Sequence, residues 1–250
     1  EGVVCGDWRC SYAEFSRRAG QLGRALASLD LRAGDRVAFL SYNCHRLLEA
    51  YYGVPEAGGI LLPLNIRLAP PEQEFILNDS GARFLFLDPD FLPLVESFRR
   101  RLKTAERFFL LDGERGANAW LEPRNYDQLL LPLEPLHRDI MEVDEDSVCE
   151  LFYTSGSTGD PKGVMLTHRT LYLHGIPLFH ANGWGGAHAF VAVGGKHVMI
   201  RRFDPAEVFR LIERERVESF AVVPAMAIAL VNHPARQQHD LSSLKMIMIG

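Results

Sequence analysis

Short apolar runs that fit β-strands alternate with longer amphipathic stretches that fit helices along most of the chain. This alternation constrains the fold more than any other feature of the sequence. Val3 to Cys10 alternates about Gly6-Asp7 and predicts a hairpin. Ser11-Tyr12-Ala13-Glu14 has the form of a capping box, Ser11 accepting an early helix N–H and Glu14 reaching back. Phe15, Ala19, Leu22, Leu26 and Leu29 follow at helical spacing, which predicts one buried face. Strands are predicted from Arg36 to Ser41, Gly59 to Leu64, Arg83 to Leu87, Val148 to Tyr153, Ser219 to Val223 and Leu244 to Ile249. Helices are predicted from Leu47 to Val54, from Pro70 onward, from Phe91 to Leu102, from an Asp204 cap with Pro205 first, and from Pro224 to Val231. Residues 112–147, rich in Gly, Pro, Asn and acidic residues, read as a surface connection with a short helix near Tyr126. Such a series predicts an α/β fold with mostly parallel sheets flanked by helices.

Charge and cysteine content narrow the function. Lys and Arg number 27 against 32 Asp and Glu, a net charge of −5, which argues against nucleic acid as a partner. No run approaches the ~20 consecutive apolar residues of a transmembrane span. Glu1-Gly2-Val3-Val4 lacks the order of a signal peptide. Four cysteines in 250 residues are too few for a disulfide scaffold, and Cys5, Cys10, Cys44 and His45 match no tight metal-ligand spacing. The expectation is a cytoplasmic protein with reduced thiols.

The chemistry concentrates in one stretch, LFYTSGSTGDPKGVMLTH, from Leu151 to His168. Thr154, Ser155, Gly156, Ser157, Thr158 and Gly159 come after a predicted strand, and Lys162 stands between Pro161 and Gly163. Glycines let backbone N–H groups converge on an anion, hydroxyls add neutral donors, and the lysine adds a positive charge. Together they describe a cradle for phosphate oxygens. A Walker loop is excluded because it needs Gly-Lys followed by Ser or Thr.

YTSGSTGDPKGV closely resembles the phosphate loop of the adenylate-forming acyl-CoA synthetases, the AMP-binding superfamily. LEAYYGVPEAGGILLPLNIRL, PLFHANGWGGAHAFVAVGGKHVM, VVPAM and LKMIMIG resemble other family segments in order and spacing, so the likeness runs through the whole chain. The resemblance implies an acid–thiol ligase that consumes ATP with Mg²⁺, forms an acyl-adenylate, and transfers the acyl group to coenzyme A. It implies that residues 154–159 and Lys162 hold the β and γ phosphates, with the Thr154 hydroxyl near the metal. His180 matches the position beside the acyl carboxylate and carries a positioning role with Lys162. Trp184, with Gly185 beside it, matches a gate on the acyl tunnel of relatives that take fatty acids.

The implied substrate is a medium- or long-chain fatty acid. Aryl acids, and transfer to a carrier protein in place of coenzyme A, are the alternatives within the enzyme class. A non-catalytic nucleotide- or lipid-binding protein is the alternative outside it. By resemblance, the adenine and ribose contacts, the acidic metal ligand, the hinge and a further lysine lie beyond Gly250. Residues 1–250 are thus expected to form an incomplete N-terminal large domain, inactive alone, without the small mobile domain. Its open sheet edge is a surface on which two copies can pair as a homodimer. Lys196, the run Arg99-Arg100-Arg101 and the pair Arg201-Arg202 are expected to be solvated. His233 and His239 have no partner that the sequence names.

Overall fold

The computed structural model describes residues 2–135, 144, 146–154, 160–167, 196–200 and 202–249, with backbone alone at 154, 219, 246, 248 and 249. The predicted hairpin is present as β1 (Val3–Cys5) and β2 (Trp8–Cys10), turning through Gly6 at φ 63°. Helix α1 (Tyr12–Ser28) starts at Ser11, whose hydroxyl accepts the Glu14 N–H at 3.2 Å. The predicted box is half made, because the Glu14 carboxylate accepts from Arg17 at 2.8 Å, where the pairing is one turn along the same face.

From there the chain alternates as expected. The elements are β3 (Arg36–Leu40), α2 (His45–Glu56), β4 (Ile60–Pro63), α3 (Pro70–Ser80), β5 (Phe84–Leu87) and α4 (Leu92–Phe98). Helix α4 is shorter than the predicted span, since Pro89–Phe91 and Arg99–Arg101 on either side are single 3₁₀ turns. Strand β6 (Arg107–Leu110) lies outside the predicted pattern, its short apolar run merging into the polar stretch after it. Helix α5 (Tyr126–Leu130) begins at a full capping box of Asn125 and Gln128. Strands β7 (Val148–Thr154), β8 (Lys162–Thr167) and β9 (His197–Met199) come next. The chain then runs through α6 (Pro205–Glu215), β10 (Ser219–Val222), α7 (Pro224–Asn232) and β11 (Met246–Ile249).

Among the described residues six strands form the main sheet in the order β6-β5-β3-β4-β7-β8, parallel except for β8, which runs antiparallel to β7. Alternate strand residues face opposite layers. Val37, Phe39, Phe84, Phe86 and Phe109 face α1, α2 and α5, with Phe39, Phe86 and Phe109 stacked at centroid spacings of 4.8 and 4.6 Å. Ala38, Leu40, Leu62, Leu85 and Leu87 face Ile76 and Leu77 of α3 and Val95 and Phe98 of α4. Helices α1 and α2 approach so closely that a Cβ at Gly53 would lie 2.5 Å from the Ala19 carbonyl oxygen, which requires glycine there.

Strand β9 joins β1 in parallel, making a three-stranded sheet with β2. Strands β10 and β11 pair in parallel, and α6 and α7 pack with them through Val208, Phe209, Ile212, Val222 and Leu230. No described helix is long and apolar enough to cross a membrane.

Candidate functional site

Strands β7 and β8 form an antiparallel ladder in which Leu151 pairs with Met165, Tyr153 with Gly163, and Thr154 with Lys162. Strand β7 ends at Thr154 and β8 begins at Lys162, its cross-strand partner. Lys162, between Pro161 and Gly163, is the first residue of β8 and is exposed. Cross-strand partners lie about 5 Å apart at Cα. The ladder thus brings together the first hydroxyl residue and the lysine of the predicted cradle. Ser155, Gly156, Ser157, Thr158 and Gly159 lie outside the described residues, as do His180, Trp184 and Gly185.

The sequence from Thr154 to Lys162 carries several neutral donors and one lysine, a composition suited to phosphate oxygens. Among the described residues no group of three His, Cys, Asp or Glu side chains is placed to hold a metal ion. Magnesium asks little of the protein, since it keeps waters and takes most of its ligands from substrate phosphates. The hydroxyl residues and the lysine of the sequence from 154 to 162 are compatible with that chemistry.

One residue before Thr154, the Tyr153 hydroxyl donates to Asp79 Oδ2 on α3 at 2.6 Å. A cleft of about 1050 Å³ opens at the carboxyl ends of β3 and β4, lined there by Tyr42, Asn43, Ile66 and Arg67. Helix α2 leaves β3 toward one face of the sheet and α3 leaves β4 toward the other. The cleft therefore lies at a topological switch point, where open α/β sheets take their ligands. Its far wall is apolar, with Val208, Leu211, Ile212, Phe220 and Met226. The Asn43 Oδ1 is buried without a hydrogen-bond partner.

Lys196, on the same cleft, departs from the solvated expectation. Its ammonium donates to Glu215 at 2.7 Å, and Arg214 and Arg9 donate to the same carboxylate, whose side chain is only 2% exposed. Three cations hold the Glu215 carboxyl far below the usual carboxylate range, the Arg9 hydrogen bonds first among them. This knot ties β2, the lead into β9 and the end of α6 together. No local signal in the sequence marks Glu215, because Arg9 lies 206 residues away.

Other charged residues also have partners. Arg202 donates to the Tyr42 hydroxyl at 2.7 Å, pairs with Asp90, and lies 4.7 Å from the centre of the Tyr42 ring. Arg99 pairs with Glu96 at 2.7 Å and the exposed Arg101 with Glu74 at 2.8 Å; Arg100 is exposed as expected. His239 pairs with Glu213 at 2.6 Å, and His233 accepts the Ala235 N–H at 3.2 Å. Arg201 lies outside the described residues.

Comparison with known proteins places the chain in context. The profile of a family described as AMP-binding enzyme matches residues 2–250. A long-chain-fatty-acid--CoA ligase of Thermus thermophilus is 36% identical over 97% of this chain and 47% of its own length. A 4-hydroxybutyrate--CoA ligase of Metallosphaera sedula is 33% identical over 99% of this chain and 49% of its own. Among solved structures, an anthranilate CoA ligase in complex with anthranoyl-AMP superposes with a TM-score of 0.86 at 26% identity, covering 99% of this chain and 51% of that one. The chain spans about half the length of these relatives.

Proposed function

The chain belongs to the AMP-binding enzyme family, and from that premise we propose that the protein carrying it activates a carboxylic acid with ATP and passes the acyl group to the thiol of coenzyme A. The observation that carries this reading is the pairing of Thr154 with Lys162 across the β7–β8 ladder. It pairs a threonine and a lysine at the two ends of a sequence run of Ser, Thr and Gly.

A carboxylate is a poor electrophile, and the oxygen it must lose is a poor leaving group. Attack of the carboxylate oxygen on the α-phosphorus of ATP breaks the α–β phosphoanhydride bond and releases pyrophosphate. The resulting mixed anhydride loses AMP when the thiolate attacks its carbonyl carbon. Little acid–base work is needed in the first step, because the acid is ionised at neutral pH. The protein's task is to hold the chain of phosphates in line and to neutralise charge as pyrophosphate departs. In this reading the loop amides and hydroxyls of 154–159 and the Lys162 ammonium hold the β and γ phosphates. Magnesium, arriving with ATP, offsets their charge, with Thr154 beside it. His180 positions the acyl carboxylate, and Trp184 beside Gly185 borders the acyl chain.

The acid is proposed to be a medium- or long-chain fatty acid. The Thermus relative's name supports this choice, as does the glycine-flanked Trp184. The relatives named above act on three different acids, so the choice needs its own test. The complete protein, given ATP, Mg²⁺ and a panel of fatty, hydroxy and aryl acids, is expected to release AMP and form a thioester with coenzyme A, fastest with fatty acids. A faster aryl acid would replace the substrate assignment. A thioester formed only on a phosphopantetheinyl carrier would replace the acceptor. ATP binding without AMP release would leave a binding protein.

A further inference from the structure

We propose that Tyr153 and Asp79 are a positioning pair that fixes the register of β7 and β8 at the mouth of the phosphate loop, and with it the placement of Lys162. The inference rests on the functional reading above and adds residues to it.

Among the described residues, strand β8 is the outermost strand of the main sheet and pairs with β7. Its Val164 and Met165 are exposed, at 41% and 68%, so burial of a hydrophobic face does little to choose its register. The far end of the ladder is irregular, with a shift between Val148 and Glu150. Something nearer the loop must therefore hold the strands in step.

Tyr153 and Gly163 are direct partners one step inside Thr154 and Lys162. A Cβ at Gly163 would lie 3.2 Å from the Tyr153 Cζ and 3.2 Å from the Leu151 Cδ1, so the tyrosine ring covers the space that a side chain would fill. An aromatic laid over a cross-strand glycine pins register, because a one-residue slip puts a bulky residue under the ring. The ring in turn is held from behind. Its hydroxyl donates to Asp79 Oδ2 at 2.6 Å, a short bond to a charged acceptor. Asp79 lies on α3, which is packed on the sheet through Ile76 and Leu77. Burial, then the bond to Asp79, holds the phenol above its ordinary range, so it remains a donor at every working pH. The line from α3 through Asp79, Tyr153 and Gly163 thus ends at the residue adjoining Lys162.

The test is ATP–pyrophosphate exchange by the complete protein, with the KM for ATP and the KM for the acid measured separately. Tyr153→Phe keeps the ring and removes the donor; Asp79→Ala removes the acceptor; Asp79→Asn restores a neutral acceptor. Tyr153→Phe and Asp79→Ala are each expected to raise the KM for ATP about five-fold, with the KM for the acid and the melting temperature little changed. Asp79→Asn should recover most of that loss. The double variant should be no worse than either single one, since both remove the same bond. Equal shifts in both KM values, a fall in melting temperature with an unchanged KM for ATP, or additive losses would overturn the inference. A wild type without acid-dependent exchange would overturn the functional reading and this inference together. A wild type that exchanges alongside unaffected variants would overturn this inference alone.

Discussion

Thr154 and Lys162 stand opposite each other as the last pair of the β7–β8 ladder, so the strands deliver a hydroxyl residue and an ammonium to the same place. The position of Lys162 is set by backbone pairing, while its side chain is exposed. Removing the charge should leave the fold intact and affect the chemistry. Lys162→Ala is expected to lower kcat/KM for ATP in pyrophosphate exchange by about 10²-fold, with an unchanged circular dichroism spectrum. Lys162→Arg should retain part of the activity, because the charge remains while its geometry changes. Full activity in Lys162→Ala would remove the lysine from the phosphate site.

Glu215 gathers Arg9, Lys196 and Arg214 around a nearly inaccessible carboxylate. Glu215→Gln leaves those cations facing a neutral amide. It should destabilise the protein by about 2 kcal/mol at neutral pH, a figure reduced for the partial exposure of the cations. Because the folded carboxyl titrates below its unfolded value, its contribution is complete above the ordinary carboxylate range and is lost as pH falls through the depressed folded value. Urea midpoints of the two proteins should therefore converge in strong acid. A constant difference at every pH would show that packing, and not charge, holds the knot.

His45 is 5% exposed, stacks on Trp8 at 3.8 Å, and has both ring nitrogens buried without a hydrogen-bond partner among the described residues. Burial first, then Arg46 and Arg18, pushes its pKa down to about 3. The unfolded chain takes up a proton near 6.5, so stability is complete above that pH and falls as pH drops from 6.5 toward 3. The loss from this group should reach about 2 kcal/mol at about pH 5. His45→Phe keeps an aromatic face for Trp8 and removes the titration. The stability gap between variant and wild type should widen in favour of the variant from about pH 7 to about pH 5. A gap independent of pH would mean that the imidazole finds a proton partner in the folded protein.

Glu49 is fully buried on α2, pairing with Arg18 at 2.6 Å and accepting the Tyr126 hydroxyl at 2.8 Å. Asp127 joins the same group by accepting from both Arg18 and Arg46. This network locks α5 onto α1 and α2. Glu49→Ala leaves Arg18 with Asp127 alone and takes the acceptor from the buried Tyr126 hydroxyl, and is expected to cost about 3 kcal/mol in chemical unfolding. A loss much smaller than that would mean that water reaches Arg18.

Much of this architecture is legible from residue order alone. Period and caps locate the helices at Ser11, Pro70 and Asp204, and the small-residue run marks the stretch proposed to hold phosphates. Strand β6 escapes because four residues, Arg107 to Leu110, carry too little pattern to separate them from the polar residues after them. The start of β8 at Lys162 escapes because Lys162-Gly163 looks like a turn, and its strand character comes from pairing with Tyr153 and Thr154. Glu215 and Asp79 are illegible for a different reason. Their partners lie 206 and 74 residues away, and the sequence holds no record of that proximity. Lys196 reads as solvated for the same reason, since only the fold brings Glu215 to it.

The central claim is tested most directly by carboxylate-dependent ATP–pyrophosphate exchange with the complete protein, run beside its Lys162→Ala variant. Incorporation of labelled pyrophosphate into ATP that requires both Mg²⁺ and a fatty acid, and that falls about 10²-fold in the variant, is the predicted result. ATP binding with no exchange for any acid, or exchange that is indifferent to Lys162, would contradict it.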